Sequence, residues 1–322
     1  MRAQQTQDNE QAGDPRASSA TIGPDPVLNR AYPILAFDWD GTAVKSRRHP
    51  TQALRARTEP LAEMGVWLVV ITGTKFENLE NQYFGALCPS ARPGHLACVN
   101  RGSEVFGFDD QGRVQVRHRR TATAGENDLM DEVAVLVREE LEDRFGLETT
   151  IVFDRFNRRK LDLIPVPEWA DPPKERIGEL LAAVKRRLLA AGIAGGIRWI
   201  MDRVAELADE HDIALKLTTD VKHVEFGLTD KSDSVAYLAN EFAPAQGLSP
   251  KDILILGDEF GPIDGFEGSD YKTFVLPEAT YVSVGREPNG VPDGVLHIGG
   301  GVPTFLALLD RQTQLRRGGP QA

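Results

Sequence analysis

Three short apolar runs, each closed by a polar residue, constrain this chain more than any other feature. Pro33 to Phe37 ends at Asp38, Val66 to Ile71 ends at Thr72-Gly73, and Ile253 to Leu256 ends at Gly257-Asp258. Unbroken apolar runs of this length read as strands covered on both faces, as in a parallel sheet between helix layers. Helical spacing separates them. Leu54 to Met64 links the first two runs, and Val235, Leu238, Ala239 and Phe242 follow Lys231 at i, i+3, i+4 and i+7, with Asp230 or Ser232 as N-cap. In open α/β sheets ligands bind outside the carboxyl ends of the strands. Asp38, Thr72 and Asp258 are therefore expected at one crevice, although they lie far apart in sequence.

From about Gly112 to Lys222 the pattern changes. Apolar stripes run through Leu129, Val133, Leu136 and Val137, and again through Ile177, Leu180, Leu181, Val184 and Leu188. Ile151 to Val166 alternates in part, as a strand with one wet face does. Pro165-Val166-Pro167 and Pro172-Pro173 close that strand and open the next helix. Ala214–Leu217 and His223–Leu228 flank Asp220-Val221-Lys222 and read as a hairpin. The expected organisation is an α/β core over residues 31–112 and 223–311 with an inserted α+β cap over 113–222. A polar N-terminal extension over 1–30 and a tail over 312–322 are expected to be disordered.

Composition removes several function classes. A formal net charge of −11 opposes general nucleic-acid binding, which needs a basic face, but permits a small anionic ligand in a cleft. No apolar run approaches the roughly 20 residues of a membrane span, and no signal pattern opens the chain. Cys88 and Cys98 form no CxxC pair and read as reduced thiols of a cytoplasmic protein. The histidines include no i,i+4 pair, so a zinc site is not expected.

The chemistry concentrates in Asp38-Trp39-Asp40-Gly41-Thr42. A carboxylate at a strand end can attack phosphorus and form an acyl phosphate, splitting one difficult transfer into two easier ones. A second acid two residues on can protonate the leaving oxygen and later deprotonate water. Gly41 permits the sharp turn that brings both acids to one cleft. Two such carboxylates repel unless a cation lies between them, and Mg²⁺ takes few carboxylates together with phosphate oxygens.

Ala36-Phe37-Asp38-Trp39-Asp40-Gly41-Thr42 resembles the first motif of the haloacid dehalogenase superfamily of phosphatases. The resemblance implies a Rossmann-like parallel-sheet core, Asp38 as nucleophile, Asp40 as general acid and base, and the Asp40 carbonyl as a metal ligand. Thr72-Gly73 resembles the second motif, whose hydroxyl and nearby N–H groups hold phosphoryl oxygens. Lys231 resembles the third, an ammonium at a helix start that restrains the nucleophile. Gly257-Asp258-Glu259 resembles the fourth, with Asp258 bound directly to Mg²⁺. The family places another acid about four residues later, but here the loop reads Phe260-Gly261-Pro262-Ile263. Glu259, Asp264 and Asp270 are the remaining candidates, and Asp264 is the expected second metal carboxylate.

Val99-Asn100-Arg101-Gly102-Ser103-Glu104 resembles the segment before the cap in the Cof-type branch and in trehalose- and sucrose-phosphate phosphatases. In the cap, Arg155-Phe156-Asn157-Arg158-Arg159-Lys160-Leu161-Asp162 concentrates cations that can grip a second phosphate or a sugar acid, with Arg155, Asn157 and Lys160 as the expected readers. The segment also resembles one in the cap of phosphomannomutases. The expected function is a Mg²⁺-dependent phosphomonoester hydrolase for a small phosphorylated metabolite, a sugar phosphate above others. A phosphomutase using the same aspartyl phosphate and a non-catalytic metabolite-binding protein are the alternatives.

Overall fold

The computed structural model describes residues 25–170 and 176–318. Residues 1–24 of the expected extension, Pro172-Pro173 and residues 319–322 lie outside them. In chain order the elements are β1 (Ile34–Asp38), α1 (Gln52–Glu63), β2 (Trp67–Ile71), α2 (Phe76–Gln82), β3 (His95–Val99), β4 (Glu104–Phe108) and β5 (Val114–Arg119). There follow α3 (Ala124–Phe145), β6 (Thr150–Arg155), β7 (Arg158–Asp162), α4 (Ile177–Ala190), α5 (Gly196–Glu210), β8 (Lys216–Thr219) and β9 (His223–Gly227). The chain continues with α6 (Lys231–Tyr237), α7 (Ala243–Ala245), β10 (Ile253–Gly257), β11 (Thr280–Ser283), β12 (Val295–His297) and α8 (Gly301–Arg316).

The first sheet runs β12-β11-β10-β1-β2-β3-β4-β5. Its strands are parallel from β12 to β3, and β4 and β5 add antiparallel at one edge. Residues alternate between its two faces as strand geometry requires. Leu35, Phe37, Leu68 and Val70 pack toward Phe305 and Leu308 of α8, while Ile34, Ala36, Val69 and Ile71 pack toward Val235 and Phe242. The chain leaves β1 toward β2 and β3, then returns on the other side of β1 through β10. This places the topological switch point, where such sheets bind ligands, at the ends of β1 and β10.

The cap is a four-stranded antiparallel sheet, β6-β7-β9-β8, with α3, α4 and α5 burying a separate apolar cluster against it. Its boundaries differ from those expected. β5 pairs with β4 and belongs to the core, whereas β9 pairs with β7 and β8 and belongs to the cap. Strand pairing, which local pattern does not reveal, decides both ends. The core also extends further at each terminus. Asp25 caps a 3₁₀ turn over Pro26–Asn29 that buries Leu28. Buried Gln312 of α8 accepts from Tyr32 N at 3.0 Å and donates to Arg30 O at 2.8 Å, so residues 25–30 and 312–316 are ordered parts of the core. Among the described residues no helix is long and apolar enough to cross a membrane.

One core loop reaches into the cap. Phe266, in the loop after β10, is buried in the cap's apolar cluster, and Ile263 packs against it. The Arg198 guanidinium lies 4.6 Å from the Phe266 ring centre and donates to Gly265 O at 3.2 Å. Asp264 forms an ion pair with Lys185 of α4. Phe266→Ala should cost about 3 kcal/mol, since it opens a cavity between the units. A fall in the thermal midpoint, greater than that of a surface Phe153→Ala control, checks this.

Candidate active site

Asp38 is the last residue of β1 and lies in register with Ile71, so Thr72 begins one residue beyond it on the neighbouring strand. The segment after Asp38 closes tightly. Ala43 N and Val44 N both donate to Trp39 O at 3.0 Å, and Gly41 N donates to Val44 O at 2.7 Å. Gly41 has φ 101°, a left-handed conformation that disfavours any other residue. Trp39 is buried and donates to Gln82 Oε1 at 3.1 Å, which anchors the turn.

Lys231 is the first residue of α6, whose N-cap is Asp230. Its Nζ donates to Asp38 Oδ1 and to Asp270 Oδ1, each at 2.7 Å. Burial alone would favour the neutral amine, but the charges of Asp270 and Asp38 outweigh it and hold Lys231 above the ordinary lysine range. Burial likewise opposes ionisation of Asp270, and the Lys231 charge overrides it, keeping this carboxyl below its usual range. Asp270 Oδ2 accepts from Asp258 N at 2.9 Å and from Glu259 N at 3.0 Å. Thr42 Oγ1 donates to Asp258 Oδ1 at 3.0 Å. Gly257 is required here, because a Cβ would lie 2.5 Å from the Asp270 carboxylate.

Asp38, Asp258 and Asp270 thus bring one carboxylate oxygen apiece within 4.8 Å of one another. Hard oxygen donors at this spacing suit a divalent cation such as Mg²⁺. Asp264, the expected second carboxylate, is not in the group. The lengthened loop carries it to the cap, and its place is taken by Asp270, twelve positions after Asp258. The only signal in sequence was the presence of a further acid at the loop's far end.

Asp38, Asp40, Thr72, Gly73 and Lys231 line one cleft of about 650 Å³ between core and cap. Asp40 lies 3.9 Å from Arg47 Nε. Thr72 is buried, and its Oγ1 accepts from Thr74 N at 3.2 Å. On the cap side Arg155 and Lys160 line the cleft. Asn157 does not, and its expected role is corrected. At the β6–β7 turn with φ 57°, it accepts from Ala122 N at 2.8 Å and donates to Ser103 Oγ at 3.0 Å and to Arg120 O. Those bonds use its amide to tie the cap turn to the core–cap connection. Arg158, Arg101 and Glu225 are the residues that sequence reasoning did not single out. The two-residue period of β7 puts Arg158 and Lys160 on one face, and this was the usable signal.

Comparison with protein-family models gives no match, and comparison with curated proteins gives none either. Comparison with solved structures does. An N-terminally truncated IMP-nucleotidase of Plasmodium falciparum superimposes with a TM-score of 0.55 at 12% identity, covering 89% of this chain and 72% of that one. Trehalose-6-phosphate phosphatase of Aspergillus fumigatus gives 0.56 at 15% identity, over 89% and 95%. The C-terminal domain of the Candida albicans (C. albicans) enzyme gives 0.54 at 13%, over 88% and 92%. The chain has the haloacid dehalogenase fold. Its α/β core with an inserted α+β cap is the architecture expected from the sequence.

The two acids of the long loop should respond differently to removal. Asp270→Ala, measured by urea unfolding with chelator present, should cost roughly 3–5 kcal/mol, because it strips a partner from buried Lys231. Asp264→Ala removes a partly exposed pair and should cost under about 1 kcal/mol. Equal costs would contradict this assignment of the two residues.

Proposed function

We propose that the chain is a Mg²⁺-dependent phosphomonoester hydrolase acting through an aspartyl phosphate on Asp38. The observation that carries this reading is the position of the Asp38 carboxylate. It stands at the switch point of the sheet, 2.7 Å from Lys231 and within the three-carboxylate group. An Asp38 oxygen attacks phosphorus as the bond to the leaving oxygen breaks, and Asp40 gives that oxygen a proton. Asp40 then takes a proton from the water that attacks the same phosphorus, and the Asp38 carboxylate is released. The Thr72 hydroxyl, the Gly73 N–H and Lys231 hold and position the phosphoryl oxygens through the transfer.

Asp38, Asp258, Asp270 and the Asp40 carbonyl would hold the metal. Mg²⁺, when bound, supplies charge neutralisation for the nucleophile and the phosphoryl oxygens. Lys231 donates to Asp38 Oδ1 and so holds that carboxylate in a single orientation, as a nucleophile requires. The substrate in this reading is a small phosphorylated metabolite, most simply a sugar phosphate. The volume of the cleft and the names of the fold neighbours, trehalose-6-phosphate phosphatase and IMP-nucleotidase, support that class. The unpaired thiols Cys88 and Cys98 support a cytoplasmic setting, and the acidic net charge argues against a nucleic-acid partner.

A screen of phosphorylated metabolites, read as inorganic phosphate release, tests the reading. Activity should vanish with chelator and return with Mg²⁺. Asp38→Asn should reduce turnover to background while leaving the circular-dichroism spectrum unchanged. Full activity in that variant would overturn the mechanism.

A further inference from the structure

We infer that the cleft contains a second anion-binding subsite, built by Arg101 of the core and Arg158 of the cap beside Gly73. The substrate is then a phosphomonoester whose organic part carries another anionic group, a carboxylate or a phosphate. This deepens the hydrolase reading and rests on it only for the phosphoester itself.

Arg101 lies in the turn between β3 and β4, and Arg158 opens β7. Both side chains are nearly buried, 12% and 7% exposed, yet both line the same cleft as Asp38 and Thr72. Each keeps a buried N–H that makes no hydrogen bond, Nη1 of Arg101 and Nε of Arg158. An unmet buried donor costs free energy, and a guanidinium is the group best shaped to take a carboxylate or phosphate across two N–H bonds.

Glu225 of β9 is shared by three cations. Arg101 Nε lies 2.5 Å from it, Lys160 Nζ 2.7 Å and Arg158 Nη1 3.0 Å. Asp220 lies 3.8 Å from Lys160 and 2.9 Å from His223. Burial pushes the Arg158 guanidinium down to about 10 against the pull of Glu225, and the neighbouring charges of Arg101, Arg155 and Arg47 add to the fall. Three cations thus meet on one carboxylate, and the unmet N–H groups of Arg101 and Arg158 are the donors a further anion would satisfy.

The position sets the span of the ligand. Arg158 Nη2 donates to Gly73 O at 2.6 Å, and a Cβ on Gly73 would sit 3.4 Å from Arg101 Cγ and 3.5 Å from Arg158 Nη1. Gly73 directly follows Thr72, and successive Cα atoms are about 3.8 Å apart. The second anion thus lies a few bonds from the phosphoester.

Calorimetric titration with ethylphosphonate, 2-carboxyethylphosphonate and ethylenediphosphonate, all with Mg²⁺ present, tests this without turnover. One of the two doubly anionic probes should bind the wild type at least tenfold tighter than ethylphosphonate. Which one does so separates a carboxylate from a phosphate as the second group. Arg158→Gln and Arg101→Gln should each bring that ratio close to one, and Arg158→Lys, which keeps charge but loses the fork, should retain part of it. Residual ethylphosphonate binding certifies that a variant is folded, and if one glutamine variant fails that criterion the other decides. A ratio near one in the wild type, or an undiminished ratio in the folded variants, overturns the subsite. Phosphate release from esters, assayed on the same preparations, tests the hydrolase reading separately. A protein that keeps the ratio but cleaves no ester retains the subsite and loses the hydrolase.

Discussion

Lys231 lies buried between the carboxylates of Asp38 and Asp270, 2.7 Å from each, and the rest of the site is arranged around that ammonium. A lone charge at this depth would be prohibitively desolvated, so the fold must deliver partners to it. Asp38 comes from the end of β1, Asp270 from the far end of the loop after β10, and Lys231 from the start of α6. Satisfying one cation therefore fixes three segments that are remote in sequence. Asp270 extends the constraint by accepting from the backbone of Asp258 and Glu259, which orients the Asp258 carboxylate toward Thr42 and the metal-suited group.

The core was legible because buried parallel strands have an unmistakable local form. A short apolar run leaves no doubt about β1, β2 and β10, and the polar residue that ends each run marks the crevice. Asp38, Thr72 and Asp258 each follow such a run; Asp38 and Thr72 line one cleft, and the Asp258 carboxylate lies within 4.8 Å of that of Asp38. The second acid was not, because loop geometry has no periodicity. Asp264 and Asp270 are equally acidic, and only the path of the chain sends the first to Lys185 and the second to Lys231. Asn157 misled for a related reason. Its cationic neighbours suggested a ligand, whereas its turn conformation and its three core–cap hydrogen bonds depend on contacts invisible in sequence.

The long loop after β10 connects the cap to the carboxylates at the switch point. Its middle is held in the cap by Phe266 and Asp264, and its end supplies Asp270. The cationic group of Arg101, Arg158 and Lys160 around Glu225 also spans the two units. Contacts at the site therefore join core and cap, alongside the Asn157 bonds at the cap turn.

In the proposed reaction Asp38 becomes covalently phosphorylated. Borohydride reduction during turnover converts an acyl phosphate to an alcohol, and peptide mass spectrometry then locates the altered residue. Asp38 should be converted to homoserine only when substrate is present, with no conversion at Asp40, Asp258 or Asp270. Steady phosphate release with an unmodified Asp38, or conversion at one of the other acids, would contradict it.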